Sequence, residues 1–249
     1  MINPGEILAR HLSTIGDLAP DDFDALCRLP FVVRAAPKHG DLLSLGERPN
    51  EVVLVLGGML YRYSLSPDGI RQVHSFYMPT EAPCLETLYI DYMDNGLAAA
   101  VDSEVAAFPH DAVYRLIDER PHIRKLLWRQ TLVQAAIFRQ WLMRNSRLPA
   151  HACVANLFCE IFARAEAAGL AEGGSCPLPI TQELLADAVG MTAVHTNRTV
   201  MLLRDTGTVE WKAGRLTILN WDRLAEIGDF DPGYLHLRPA REPARALRG

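Results

Sequence analysis

Thr181-Gln-Glu-Leu-Leu-Ala-Asp-Ala-Val-Gly190-Met-Thr-Ala-Val-His195-Thr-Asn-Arg198-Thr-Val-Met-Leu-Leu-Arg204 reads as two helices joined by a tight turn. Thr181 carries the side-chain oxygen that caps a helix start, and Leu184, Leu185, Ala188 and Val189 form one apolar stripe. Ala186 is small where a second helix must cross closely, and Gly190 supplies the positive φ of the turn. Thr192 caps the second helix, whose polar face carries His195, Asn197 and Arg198. This is the spacing of a helix-turn-helix, whose second helix enters the DNA major groove. Gly207 closes that helix, after which Thr208-Val-Glu-Trp-Lys212 and Arg215-Leu-Thr-Ile-Leu219 alternate around Ala213-Gly214, a hairpin signal. The expected unit is a winged helix, with Lys212 and Arg215 on the wing.

Working back from it, Gly173 to Pro177 reads as a loop and Ala150 to Ala168 as a helix with Val154, Leu157, Phe158, Ile161 and Phe162 inward. Asn145-Ser-Arg-Leu-Pro149 reads as a hinge, because the residue before proline is pushed out of helical geometry. A long helix is predicted from Pro121, which suits a first helical turn, to Asn145. It is apolar most of the way round, so more than one face must be covered. One face would lie on the preceding domain and the other on the same helix of a second subunit; the competing reading is a helix buried within one large domain, which little remaining sequence is left to cover. Ile123, Leu127, Ile137 and Trp141 are assigned to that dimer helix, although no heptad seam can be drawn through Gln130, Thr131 and Gln134.

Residues 31–109 have a different character, with short β-rich runs between turn residues such as Gly57-Gly58 and Ser66-Pro-Asp-Gly69. Such a pattern predicts a sandwich or barrel. Residues 1–28 read as amphipathic helix broken at Gly16 to Pro20, and Trp221 to Ile227 as one more short helix. The expected class is α+β. A β-roll of jelly-roll type with N-terminal helices occupies 1–120, the dimerisation helix and hinge 121–147, and the winged helix 148–230. A basic, proline-containing tail follows at 231–249.

A chain of 249 residues with 49% hydrophobic and 22% charged residues can bury one large or two modest cores. No basic segment followed by an apolar run opens it, and no stretch reaches the roughly 18 apolar residues that span a bilayer. A cytoplasmic protein without membrane contact is expected. The five scattered cysteines fit reduced thiols rather than a disulfide framework. The net charge of −5 argues against nucleic acid, and residues 176–220 are neutral. Their four cations, Arg198, Arg204, Lys212 and Arg215, nevertheless all fall on the second helix or the wing. For phosphate contacts, placement matters more than the sum.

A β-rich domain, a long helix, a hinge and a winged helix, in that order, resemble the Crp/Fnr family of bacterial transcription regulators over roughly residues 20–225. Gly40-Asp-Leu-Leu, Gly46-Glu, Val55-Leu-Gly-Gly58 and Asp68-Gly69 look like the turns of its effector-sensing β-roll, and Thr192-Ala-Val-His-Thr-Asn-Arg198 looks like its recognition helix. The resemblance implies a homodimer on a near-palindromic operator of double-stranded DNA, with RNA polymerase as a further partner. It also implies an effector pocket, in which Leu85, Glu86 and Asn95 are the candidates.

The departures narrow the reading. Cyclic-nucleotide-binding members pair a Gly-Glu contact to the ribose with an arginine contact to the phosphate. Here Cys84-Leu-Glu86 keeps the glutamate without the glycine, and no arginine or lysine occurs between Arg71 and Arg115. A cyclic phosphate buried without a cation would cost several kcal/mol, so cyclic AMP is not expected in the usual manner. Cys27 alone cannot supply the N-terminal cysteine cluster of the oxygen-sensing branch, so an iron–sulfur cluster is not expected either. No metal site is expected. Cys84 and Cys176, each beside a proline, are the candidates for a thiol switch.

In the recognition helix, Ala193 and Val194 stand where many members carry charge, and either fits a thymine methyl. Arg198 suits a guanine edge, Asn197 an adenine, and Thr192 a phosphate, with His195 a further base contact. The competing reading is a cupin-like binder or enzyme whose winged helix serves protein contacts. Its β-domain residues would have to converge on an acid/base or metal set, and their sequence spacing shows none.

Overall fold

The structure is a computed structural model that describes residues 3–237. The arginines of the expected tail, Arg238, Arg241, Arg245 and Arg248, lie outside the described residues.

Helix α1 (Pro4–Ile15) is capped by Asn3, whose side chain accepts from the Gly5 N–H, and α2 (Pro20–Cys27) opens on its proline. Seven strands follow: β1 (Val32–Ala36), β2 (Asp41–Leu43), β3 (Glu51–Gly57), β4 (Leu60–Leu65), β5 (Arg71–Tyr77), β6 (Gly96–Ala99) and β7 (Ser103–Pro109). They form two antiparallel sheets, ordered β1-β7-β3 and β2-β6-β4-β5. Val53, Val55, Leu60, Leu97, Ala99 and Val105 share one apolar core, drawn from both sheets. Strand β6 was not legible in sequence: its Gly-Leu-Ala-Ala is bounded by Asp94-Asn95 and lacks the alternation that marks a half-exposed strand.

Helix α3 (His110–Glu119) leads to α4 (Pro121–Arg147), which has Pro121 at its first turn. The helix runs two residues past Asn145, so the hinge contracts to Leu148, extended at ψ 147, and Pro149 before α5 (Ala150–Ala167). The dimer assignment of Ile123, Leu127, Ile137 and Trp141 is corrected here. All four are buried within the protomer, the first two against the N-terminal helices, β3 and β7. The other two pack against the outer face of β4-β5 and against α5. The Trp141 indole N–H donates to both oxygens of Glu160, at 3.1 and 2.9 Å. Left outside are Trp128, Leu132 and Leu142, each more than half exposed.

The C-terminal part adds β8 (Ser175–Pro177), α6 (Gln182–Val189), α7 (Ala193–Asp205), β9 (Val209–Lys212), β10 (Arg215–Ile218) and α8 (Trp221–Gly228). The Gly173–Pro177 loop expected from sequence is therefore partly a strand, pairing with β10 as the third member of the wing sheet. Gly228 lets α8 close onto α5: a Cβ there would sit 2.6 Å from the Asn156 nitrogen. The expected tail also starts too early, because Pro232–Leu235 forms a 3-10 turn against α4. From that turn the Tyr234 hydroxyl donates to Glu160 at 2.8 Å.

One apolar cluster joins Tyr61, Val73 and Phe76 of the β-roll to Trp141, to most of α5, and to Leu184, Leu185 and Leu203 of the helix-turn-helix. Across the same boundary Arg164 of α5 binds Glu81 through both its Nε and Nη2, donates to Glu160 at 3.0 Å, and donates to the Phe76 carbonyl at 2.6 Å. Glu160 is fully buried, so these bonds replace the water that a carboxylate would otherwise keep.

Candidate nucleic-acid interface

The turn between α6 and α7 is built as its residues dictate. The Thr181 hydroxyl accepts from the Leu184 N–H, Gly190 adopts φ 66 and ψ 36, and the Thr192 hydroxyl accepts from the His195 N–H. A Cβ at Gly190 would meet no crowding but would be strained at that φ. Helix α7 buries Thr196, Thr199 and Leu203 on one side, and on the other exposes Ala193, Val194, His195 and Arg198. Thr196, where an apolar residue is usual, is fully buried and its hydroxyl oxygen has no partner, so it packs through its methyl.

The candidate residues differ in how free they are. Arg198 and Arg215 are exposed, with no ion pair among the described residues. His195 is exposed beside Arg198. The Asn197 amide donates to Gln182 of α6 at 2.6 Å, so one of its donors is spent on holding the two helices together. Lys212 is paired with Glu210 on its own strand at 2.7 Å. The wing turn places Ala213 at φ 50 and Gly214 at φ 72, the doubly left-handed turn of a two-residue hairpin. Thr192 is exposed, and its hydroxyl hydrogen remains available although its oxygen caps α7.

The first helix of the pair is latched to the β-roll. Arg71 of β5 donates to the Asp187 carboxylate at 2.8 Å, and Gln72 to the Asp187 carbonyl at 2.6 Å. Asn145 of α4 donates to the Ala188 carbonyl at 2.9 Å. Arg71 also lies 5.5 Å from the centroid of the Tyr61 ring.

The expected effector residues separate into two places. Glu86 and Asn95 line a cavity of about 340 Å³ between β4, β5 and α4, together with Arg62, His74, Asp94 and Gln134. Leu85 instead lines a neighbouring groove. The expectation that this region lacks a cation is corrected by Arg62. It is remote in sequence, but β4 pairs with β6 so that Arg62 faces Leu97, and it forms an ion pair with Glu86. Arg62 also donates to the Pro83 carbonyl and reaches the Cys84 sulfur at 3.4 Å. Burial, with Arg62 close by, pulls the His74 imidazole below its ordinary value, so it is neutral at pH 7.

Burial pushes the Cys84 thiol up to about 12 and the Cys176 thiol up to about 11. Both side chains are buried, and their surroundings disfavour the thiolate that a thiol switch would use. Among the described residues, no three of His, Cys, Asp and Glu gather as a metal site would require, and no helix is long and apolar enough to cross a membrane.

A family model described as a Crp-like helix-turn-helix domain matches residues 154–227. The transcriptional activator protein FnrL of Cereibacter sphaeroides is 26% identical over 198 residues, 76% of this chain and 78% of its own length. A probable transcriptional activator of Rhizobium leguminosarum bv. viciae is 24% identical over 169 residues, 68% of this chain and 69% of its own. In fold, the chain is similar to FixK2 from Bradyrhizobium japonicum, with TM-score 0.73, 22% identity, and coverage of 80% of this chain and 98% of that one. With its winged helix-turn-helix behind a β-roll and a long connecting helix, the chain carries a Crp-like helix-turn-helix domain and is similar as a whole to transcription regulators of the Crp/Fnr type.

Proposed function

We propose that the chain acts as a homodimer that reads a near-palindromic operator, each protomer placing α7 in one major groove. The observation that carries this reading is the asymmetry of α7: one side seals the domain core, while the Val194, His195 and Arg198 side chains project from the other, with no hydrogen-bond or ion-pair partner among the described residues. Arg198 is assigned to a guanine edge and Val194 to a thymine methyl, with His195 and the remaining capacity of Asn197 completing base readout. Thr192, Arg215 and, more weakly, Lys212 are assigned to phosphates, which position without specifying.

The dimer seam follows the outward face of α4. Trp128, Leu132, Ala135, Arg139 and Leu142 recur at alternating steps of four and three, a heptad stripe interrupted by one arginine. In this reading residues 1–120 form the sensor, 121–147 the dimer helix and 148–230 the DNA-binding unit. The protein would be a cytoplasmic regulator rather than an enzyme, with RNA polymerase as a further partner.

The Arg62 cavity is a poor host for a cyclic phosphate in the family's usual manner. Its one cation faces two carboxylates, Glu86 and Asp94, and is already committed to the first. An effector that enters would have to break that buried pair or leave it intact and bind as a neutral molecule.

Selection of duplexes from a random pool by the full-length protein tests the reading. Enriched sequences should carry two inverted half-sites centred about one helical turn, roughly 34 Å, apart. A single unrepeated element, or no enrichment, sinks the dimeric reading. So does a Leu132→Asp variant that sediments as the parent does.

A further inference from the structure

Next to the Arg62 cavity, and sharing Glu86, Ile90 and Thr131 with it, a groove of about 730 Å³ opens between the Leu85–Leu88 turn and the first half of α4. That is within the range of about 300–1,000 Å³ common for small-molecule sites. Its walls are hydrocarbon and aromatic: Leu85, Leu88, Ile90, Ile117, Leu127 and Trp128. Two exposed cations, Arg124 and Lys125, also line it. Neither has a carboxylate at ion-pair distance among the described residues. Glu86, the one carboxylate of the lining, is committed to Arg62.

The cations stand near the N-terminal end of α4, whose first turn carries no acidic residue. The positive end of the helix dipole therefore adds to their charge instead of being offset by it. An apolar trough with an uncompensated positive patch is complementary to one kind of molecule. A nucleotide would find few hydrogen-bonding partners along these walls, and a neutral hydrocarbon would leave the two cations unused.

We propose that this groove binds an amphiphilic anion, a fatty carboxylate with its head on Arg124 and Lys125 and its chain along Leu85, Leu88, Ile117, Leu127 and Trp128. It is a second site, separate from the Arg62 cavity, and its assignment does not depend on how the protein reads DNA. Trp128, an exposed wall of the groove that also lies on the proposed dimer seam, gives a fluorescence signal that responds to occupancy.

The test is titration of the full-length protein, without DNA, by sodium laurate below its micelle concentration. Tryptophan emission and calorimetry are read together, with dodecanol and dodecyltrimethylammonium as neutral and cationic controls. Saturable binding of one laurate per protomer is expected, with both controls about tenfold weaker or more, because charge-assisted contacts to the head would be missing. The double variant Arg124→Gln/Lys125→Gln should weaken laurate by about the same factor at an unchanged thermal midpoint, and Arg124→Glu/Lys125→Glu by more. Four results overturn the proposal: no saturation, equal affinity for dodecanol, indifference to both double variants, or laurate splitting the dimer. The last would make the groove a subunit contact.

Discussion

The arginines inside this molecule and those on its DNA-facing side are treated in opposite ways. Arg62 and Arg164 are nearly inaccessible, and each is held by carboxylates and backbone carbonyls from separate elements. Arg198 and Arg215 are exposed and meet no carboxylate among the described residues. The net charge of −5 therefore says little about partners. The interior pairs neutralise themselves, and what a phosphate backbone meets is the local excess on α7 and the wing.

The sharpest way to break that contrast is Arg164→Ala. It strands Glu81 and Glu160 without their cation, and the cost should be about 3–5 kcal/mol in urea denaturation. A loss well under that would mean the carboxylates find other partners. Arg144 sharpens it from the other side. It is wholly buried, 4.4 Å from the centroid of the Trp141 ring, with two guanidinium nitrogens unpartnered, and burial lowers its proton affinity. Arg144→Met is accordingly expected to stabilise the fold, by about 1–4 kcal/mol if it follows other buried charges replaced by apolar side chains. Destabilisation in the same denaturation assay would reveal an undetected partner.

On the outer side, Arg198→Ala should leave the denaturation midpoint alone and cost about 1–3 kcal/mol of specific affinity in a gel-shift titration. Equal operator binding by mutant and parent would remove Arg198 from base readout. Arg71→Ala lies between the two classes, since its pair with Asp187 is only partly covered. A loss below about 1 kcal/mol is expected, seen as faster hydrogen exchange confined to α6. The smallest effect belongs to Lys212→Ala. Glu210 already neutralises that side chain, so the salt slope of DNA binding should fall by clearly less than the value of about one expected for Arg215→Ala.

The helix-turn-helix was legible because its determinants are local. Thr181, Gly190 and Thr192 each act on backbone within three residues, and the wing turn is decided by Ala213-Gly214. What sequence could not give was which side of α4 would be covered. Ile123, Leu127, Ile137 and Trp141 looked like a dimer surface because they are apolar, yet the β-roll and α5 claim them, and the stripe through Trp128 and Leu142 emerges only once that face is subtracted. Arg62 was missed for a related reason. Strand pairing sets residue 62 opposite residue 97, a proximity that no local window contains. The Asn197–Gln182 bond and the short strand β8 depend in the same way on packing rather than on propensity.

The apolar cluster that runs unbroken from Tyr61 and Phe76 through α5 to Leu203 makes the core of the DNA-reading end continuous with the outer face of the β-roll. Cut at Leu148, such a fragment would bare the flank of α5 that now rests on the sheet, and would lose Glu81 from beside Arg164. The two halves should therefore melt as one transition, and a strain entering at β5 has no slack tether in which to dissipate before it reaches α6.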